Sequence, residues 1–297
     1  MPACRDWTIA PTPTQVQLNA VVAAGSRCYA VGNRGLMLER RESGWERILD
    51  TGLTNDGRGL LDVAATDDGR RLWCCGVRGE LGYYDRRTGA VGRIVQPYDL
   101  VSNFRQLAVG GAAGQERLHV ADDDGRVVRL TLSDDEATVL GVAVPGPNEP
   151  VTAAFDIGDQ LFAADTSGRL YRSTDGRRWQ AHRLVSSVVT GLAVDADGLL
   201  AVTRGGGAYS GIRDFRELPD RVEQLPDGVR PHDVDGAGEG AAIVGSGGNL
   251  LLREANDRFE RVSVGTTAGL SGVALREDGT VLAVGMDGTV VEGHPRG

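Results

Sequence analysis

The sequence predicts an all-β protein that folds as a seven-bladed β-propeller, and three features support this. First, a glycine preceded by a short apolar strand and a tight turn recurs every 38 to 46 residues, about the length of one four-stranded blade. Second, each interval has room for four short strands separated by turn residues. Third, the last interval is one strand short, and the beginning of the chain supplies a matching segment. The marker glycines are Gly35, Gly79, Gly125, Gly168, Gly206, Gly248 and Gly288.

Each repeat is expected to form four antiparallel strands, counted from the axis of the ring outward. The first strand is rich in small residues because the inner strands crowd around the axis. Turns such as Asp67-Asp68-Gly69 follow it, since glycine accepts a positive φ. The second strand runs into the marker glycine, the third follows, and the fourth begins near an apolar anchor such as Trp45. The expected blades of this single domain, residues 1–297, are 18–50, 60–96, 104–140, 151–185, 189–220, 231–263 and 270–292 with 5–10.

The seventh blade lacks its fourth strand, because only nine residues follow Gly288. A matching segment lies at the other end of the chain, where R-D-W-T-I at residues 5–9 resembles G-W-E-R-I at residues 44–48. We expect the N-terminal segment to complete the seventh blade and to remove the open edges of the ring. Trp7 and Trp45 would then hold equivalent structural positions in outer strands. The alternative is that residues 1–15 form a disordered tail.

The composition argues against some functions. The chain carries 41 acidic and 32 basic residues, a net charge of −9, which argues against a nucleic-acid-binding groove. Every basic residue is arginine, which fits both an extreme halophile and a GC-rich genome. No apolar run has the length of a membrane-spanning helix, and the N-terminus lacks the pattern of a secretory signal. We therefore expect no membrane insertion and a cytoplasmic or virion location.

The fourth repeat carries the clearest local motif, because residues 161–179 read L-F-A-A-D-T-S-G-R-L-Y-R-S-T-D-G-R-R-W. This resembles the repeat of the photosystem II assembly and stability factor propellers, whose blades share an A-V-G-x-x-G turn and an S-x-D-G-x-x-W turn. Ala30–Gly35 and Ala283–Gly288 match the first turn. The second turn is similar to the Asp box of neuraminidase-type repeats. The resemblance implies a binding scaffold or assembly factor, in which Asp175 bonds its own turn and Trp179 packs between blades.

The sequence favours neither catalysis nor metal binding. It contains no F-R-I-P type motif of neuraminidase-like enzymes, and seven blades fit that class poorly. A glycoside hydrolase is therefore the least favoured hypothesis, and we assign no catalytic residue. The acidic turns at 122–125 and 195–198 lack the alternating ligands and distant glutamate of a calcium loop. Because the histidines and cysteines also lack a metal-ligand spacing, we expect no metal and no cofactor.

The candidate binding site is the mouth of the central channel. Propellers usually bind through this mouth or through loops on one face. When the inner strands are aligned, two successive levels of residues are candidates to face the axis. The first level contains Arg105 and His232, and the second contains Asp62, Gln106 and Asp233. We interpret these five residues as a polar binding mouth; the alternative is a solvated channel lining without a ligand.

Two functional hypotheses remain open besides the hydrolase. The first is a non-enzymatic protein-binding or assembly scaffold that acts through the propeller loops and the channel mouth. The second is a structural or receptor-binding (adhesion) component of a virion or cell-surface assembly of a halophilic archaeon. Both imply protein partners, and the second adds a surface glycan or receptor as a partner.

Overall fold

The chain folds into seven four-stranded antiparallel sheets arranged in a ring. The computed structural model describes residues 5–94, 101–146, 149–157, 160–212, 219–254 and 258–296. Within these ranges there are 28 strands, β1 to β28, and each sheet holds four of them. The innermost strand of each sheet contacts those of the sheets before and after it, and the seventh contacts the first. The predicted seven-bladed β-propeller is therefore confirmed.

The strands of each blade run from the axis outward in chain order. Blades 1 and 2 contain β2 (Leu18–Ala24), β3 (Arg27–Gly32), β4 (Met37–Arg41), β5 (Gly44–Leu49), β6 (Leu60–Ala65), β7 (Arg71–Gly76), β8 (Leu81–Asp85) and β9 (Val91–Arg93). Blades 3 and 4 contain β10 (Phe104–Gly110), β11 (Arg117–Asp122), β12 (Val127–Ser133), β13 (Glu136–Ala143), β14 (Val151–Ile157), β15 (Gln160–Asp165), β16 (Arg169–Ser173) and β17 (Gln180–Arg183). Blades 5 and 6 contain β18 (Val189–Asp195), β19 (Gly198–Thr203), β20 (Gly207–Ile212), β21 (Arg221–Gln224), β22 (Pro231–Ala237), β23 (Gly240–Gly245), β24 (Leu250–Arg253) and β25 (Glu260–Val262). Blade 7 contains β26 (Leu270–Leu275), β27 (Val281–Gly285), β28 (Val290–Pro295) and, outermost, β1 (Arg5–Ala10). In the described ranges no helix is long and apolar enough to span a membrane.

The N-terminal strand closes the ring, as the sequence predicts. Strand β1 pairs with β28 along its whole length, from Arg5 opposite Pro295 to Ala10 opposite Val290. Trp7 lies over Gly293, where a Cβ atom would come within 2.4 Å of the indole ring. Glycine is therefore required at position 293 to admit the tryptophan. The last blade is thus built from both ends of the chain.

The hydrophobic core lies between the blades rather than within one central cluster. Each cluster combines side chains of two neighbouring blades, as where Leu38 and Trp45 of blade 1 pack with Leu282 and Val290 of blade 7. The second strand of each blade is buried on both faces, which explains its continuous apolar sequence; β7 is buried at every position. Every blade is therefore stabilised by contacts with both neighbours.

The marker glycines turn the chain between the second and third strands. Gly35 has a φ of +74°, and a Cβ atom there would lie 2.1 Å from the backbone nitrogen of Gly52. Only glycine among the amino acids can combine the left-handed conformation with such a close backbone approach. These turns and the connections between blades share one face of the ring, which we call the glycine-turn face. The opposite face carries the two hairpin turns of each blade, and we call it the hairpin face.

Every inner strand contains a β-bulge one residue after its start. The pairing with the second strand shifts at the same place in all seven blades. A bulge leaves one residue unpaired and redirects its side chain. Here it places seven side chains at the glycine-turn end of the channel, and these are Asn19, Leu61, Arg105, Thr152, Thr190, His232 and Ser271.

Candidate functional site at the channel mouth

A cavity of about 740 Å³ follows the axis of the ring. It begins at the level of the bulges on the glycine-turn face and reaches Thr66 and Gly238 near the hairpin face. Inner strands of six blades supply its walls. Four of the five mouth residues predicted from the sequence line it. The polar side chains on its wall include Asn19, Asp62, Gln106, His232, Asp233 and Asp235.

Three aspartates of the channel wall accept hydrogen bonds from backbone amides of the next blade. Asp62 accepts the amide of Leu107 at 2.8 Å, and Asp233 accepts that of Val273 at 3.0 Å. Asp235 accepts the amide of Leu275 at 2.8 Å. An innermost strand is a sheet edge, and the N–H groups on its free edge, which faces the axis, lack strand partners. The carboxylates satisfy some of these amides and so connect blade 2 to blade 3 and blade 6 to blade 7.

Burial raises the pKa of all three carboxyl groups. Each keeps some contact with channel water, but protein surrounds its other sides. Loss of solvation raises the pKa of Asp62 and of Asp235 to about 6, against the opposing effect of their amide hydrogen bonds. For Asp233 burial is the largest cause, and the charges of Asp235 and Asp62 add to it, so that its pKa rises to about 7. The channel wall therefore changes its charge close to neutral pH.

Side chains at the bulge level bond to carbonyl groups of the next blade. Asn19 donates to the carbonyl oxygen of Leu60 at 2.7 Å. Nδ1 of His232 lies 2.8 Å from the carbonyl oxygen of Leu270. Since a carbonyl oxygen only accepts, Nδ1 of His232 carries a proton, and in the neutral imidazole Nε2 is the acceptor. The hydroxyl of Ser246 lies 3.0 Å from that Nε2.

Arg105 lies at the rim of the mouth and not in the channel wall. Its guanidinium is half-exposed and forms an ion pair with Asp123 of the same blade. The adjacent residue, Gln106, does line the cavity. The structure therefore brings Asp62, Gln106, His232 and Asp233 together and leaves Arg105 outside them, with its charge balanced.

A second cavity on the glycine-turn face is basic. It has a volume of about 610 Å³ and lies between blades 4 and 5, where Arg183, Arg204 and Arg230 line it with several serine hydroxyls. No carboxylate lines it among the described residues; Glu149 lies at its margin and accepts a hydrogen bond from Thr166. In a chain of net charge −9 this cavity is a local positive site. The sequence does not signal it, because arginine is spread along the whole chain.

The Asp-box turn of blade 4 packs against blade 3. Oδ1 of Asp175 accepts the amides of Arg178 and Arg177 at 2.9 and 2.8 Å, and these bonds lower the pKa of Asp175 to about 2. Arg129 of blade 3 donates to the carbonyl oxygen of Asp175 at 2.8 Å. Trp179 packs on the cluster between the two blades.

The outer-strand tryptophan of blade 1 also contacts a neighbouring blade. Trp45 is 5% exposed, and its indole N–H donates to Glu292 of blade 7 at 2.8 Å. Trp7 is less buried and packs against the cluster between blades 6 and 7.

Two groups at the mouth, Asp235 and Ser246, were not predicted from the sequence. Asp235 follows Asp233 by two residues and so points to the same side of β22, a signal that strand alternation offers. Ser246 lies in a turn 14 residues after His232, and nothing in the sequence indicates that the two meet. Within the described part of the chain, no three His, Cys, Asp or Glu residues are grouped to hold a metal ion.

Comparison with solved structures shows the fold and no closer relationship. No protein-family model matches the chain, and no curated protein matches it. A structure of YCF48 bound to a D1 peptide is 14% identical and has a TM-score of 0.76 over 98% of this chain and 95% of that chain. Inactive virginiamycin B lyase from Staphylococcus aureus, solved with quinupristin, is 14% identical with a TM-score of 0.81 over 98% and 99%. The WD40 repeats of RRP9 are 10% identical with a TM-score of 0.81 over 98% of both chains. Propellers of this shape thus include a peptide-bound protein, a WD40-repeat protein and an enzyme.

Proposed function

We propose that this protein is a binding scaffold that docks a segment of a protein partner on its glycine-turn face. The observation that carries the proposal is the channel cavity, which opens among side chains from six blades. A concave site lined by convergent polar groups is the usual form of a binding site. Because the channel carboxylates are held by backbone amides, the site is rigid before a partner arrives.

The charges on this face indicate the chemistry of the partner. The channel offers carboxylates that attract a cationic side chain, and the cavity between blades 4 and 5 offers three guanidinium groups that attract carboxylates. A segment that carries both signs of charge would complement both cavities. YCF48, whose structure contains a bound D1 peptide, supports a propeller ring as a platform for such a segment.

The proposal is tested by site-specific photo-crosslinking in the native organism. A benzophenone amino acid is placed at Ser271, which lines the mouth, or at the exposed Glu239 on the hairpin face as a matched control. We expect one protein to be crosslinked from Ser271 and not from Glu239. Arg204→Gln with Arg230→Gln should reduce its yield several-fold, since ion pairs across an interface are lost. Equal yields from both faces would refute a binding site at the mouth.

Density fractionation separates the scaffold from the structural alternative. A scaffold should be recovered apart from large particles, with its partner in substoichiometric amount. Co-migration with virions or cell envelope at a fixed stoichiometry would instead identify a structural or receptor-binding component.

A further inference from the structure

Ser246 and His232 form a hydrogen-bonded pair at the rim of the channel. Ser246 begins the glycine turn of blade 6, directly after β23, and His232 is the bulged residue of β22. The hydroxyl oxygen of Ser246 lies 3.0 Å from Nε2 of His232. The imidazole is exposed and the serine is partly exposed, so a small molecule in solvent reaches both.

The histidine is oriented by a third group. The carbonyl oxygen of Leu270 in blade 7 lies 2.8 Å from Nδ1, which places the proton on Nδ1 and leaves the Nε2 lone pair directed at the Ser246 hydroxyl. A nucleophile within hydrogen-bond reach of a base that is itself oriented by another group is the arrangement of serine hydrolases. Here a backbone carbonyl occupies the position that a carboxylate holds in the usual triad.

The turn around the serine is fixed and supplies a backbone donor. The amide of Ser246 donates to the carbonyl oxygen of Arg230, and the side chain of Asn249 donates to the carbonyl oxygen of Ser246. Gly247 is exposed with a φ of +68°, and its amide bonds to no acceptor in the described ranges. The amide of the residue after the nucleophile is one of the donors that stabilise an oxyanion in serine hydrolases.

We propose that Ser246 and His232 are a nucleophile and base that cleave carboxylic esters at the channel mouth. Asp62 and Asp233 line the adjoining cavity, so neutral or cationic esters are favoured over anionic ones. This activity goes beyond a binding scaffold and does not depend on it, because the pair acts on a small ester without a protein partner.

The reaction requires only Ser246, His232, the ester and water. His232 Nε2 takes the hydroxyl proton as Ser246 Oγ bonds to the ester carbonyl carbon, and the amide of Gly247 stabilises the oxyanion. The carbon–oxygen bond to the alcohol breaks, and the imidazolium returns its proton to the leaving alkoxide. Water then attacks the acyl-serine, Nε2 takes its proton, and that proton returns to Ser246 Oγ as the carboxylic acid leaves.

The test is covalent labelling with a fluorophosphonate probe, with hydrolysis of p-nitrophenyl acetate as a second readout. Ser246 is the one hydroxyl residue in the tryptic segment 222–253, so mass spectrometry assigns the label directly. We expect the label on this segment, its loss in Ser246→Ala, and a 10²- to 10⁴-fold slower reaction in His232→Gln, about the usual contribution of a general base. Glutamine still has an N–H to donate to the carbonyl oxygen of Leu270. Ser26→Ala, at an exposed serine in a hairpin turn on the opposite face, is the matched control that should label like the wild type.

Three outcomes would overturn the proposal: no label above that of the heat-denatured protein, a label that persists in Ser246→Ala, or equal rates in His232→Gln and the wild type. Thermal melting verifies that each variant folds. If His232→Gln does not fold, His232→Asn takes its place, since its shorter amide also lacks a base.

Discussion

At the scale of single residues, identical carboxyl groups behave in opposite ways because their surroundings differ. Asp233 lies in the channel wall, where burial and nearby carboxylates raise its pKa to about 7. Asp175 lies in an exposed turn, where two backbone amides lower its pKa to about 2. Ionisation of Asp233 therefore opposes folding, whereas ionisation of Asp175 favours it.

Replacing Asp233 with asparagine should stabilise the protein at alkaline pH. Since the folded-state pKa lies above the reference value of 3.8, the stability contribution of Asp233 is greatest below about pH 4 and is lost as the pH rises through 7. The asparagine oxygen still accepts the Val273 amide without an ionisation cost. We expect the Tm of Asp233→Asn to exceed that of the wild type by roughly 2–4 °C at pH 8.5, about 1 kcal/mol for a chain of this size, and by less at pH 4.

Asp175→Asn is the control, for which we expect a change in Tm of the opposite sign. Because its folded-state pKa lies below the reference value, the contribution of Asp175 is present above about pH 4 and is lost as the pH falls through 2. Its Tm should lie below that of the wild type at neutral pH, with a difference that narrows in acid. A lower Tm for Asp233→Asn at pH 8.5 would contradict this account of the channel.

At the scale of elements, the inner and outer strands of a blade make different kinds of contact with the neighbouring blades. Inner strands meet at the axis, where bulged side chains and carboxylates satisfy backbone groups of the next blade. Outer strands lie at the rim and supply aromatic residues to the contacts between blades, as Trp45 and Trp179 do. Strand β1 is an outer strand with a further role, because its pairing with β28 joins the N-terminal and C-terminal parts of the described chain.

Removing the closing strand should destabilise the ring. Deletion of residues 1–10 opens the edge of β28, and Trp7→Ala removes the ring that packs over Gly293. We expect Trp7→Ala to lower the free energy of unfolding by about 3 kcal/mol, the low end for truncation of a buried aromatic residue, because Trp7 is partly exposed. Chemical denaturation measures the change. Ile9→Ala is the control: Ile9 is 50% exposed, and its truncation should cost less than about 0.5 kcal/mol.

At the scale of the whole molecule, the ring depends on contacts between each blade and its two neighbours. Buried arginine–carboxylate pairs reinforce several of these contacts, since the planar guanidinium matches a carboxylate. Arg71 with Glu116 and Arg253 with Asp195 are such buried pairs, whereas Arg40, which pairs with the buried Glu292, is partly exposed. Such pairs cost several kcal/mol when one partner is removed, so they hold the blades in one arrangement.

A circular permutant tests whether the position of the closing strand matters. In this permutant residue 297 is joined to residue 1, and the chain starts at Ser43 and ends at Glu42. Strand β5 then becomes the separate outer strand of blade 1. The joined chain ends then link β28 to its partner β1. The new ends lie in an exposed turn, and we expect the permutant to fold with a Tm within about 4 °C of the wild type.

A second permutant that opens at Gly35, whose turn packs against Gly52, should be clearly less stable. Failure of the Ser43 permutant to fold would mean that closure requires the chain ends to lie in blade 7.

The number of blades, the order of their strands and the closure by the N-terminal segment could be predicted from the sequence. These features follow from local chemistry: glycine at left-handed turns with close backbone contact, small residues in inner strands, and an outer-strand pattern shared by residues 5–9 and 44–48. The turns and strands can be recognised within one repeat and the closure by comparing repeats, so no knowledge of distant contacts is needed.

Which polar residues meet depends on how the blades pack and could not be predicted. The bulges of the inner strands interrupt strict alternation, so neither of the two aligned levels alone lines the channel. The charge of Arg105 is balanced by an ion pair with Asp123, whereas Asp235 lies in the channel wall. The pairing of Ser246 with His232 depends on the hairpin of blade 6, which brings residues 14 positions apart to 3.0 Å from each other. The cluster of arginines between blades 4 and 5 arises on different blades, and the packing of blades sets distances between groups that no local pattern relates.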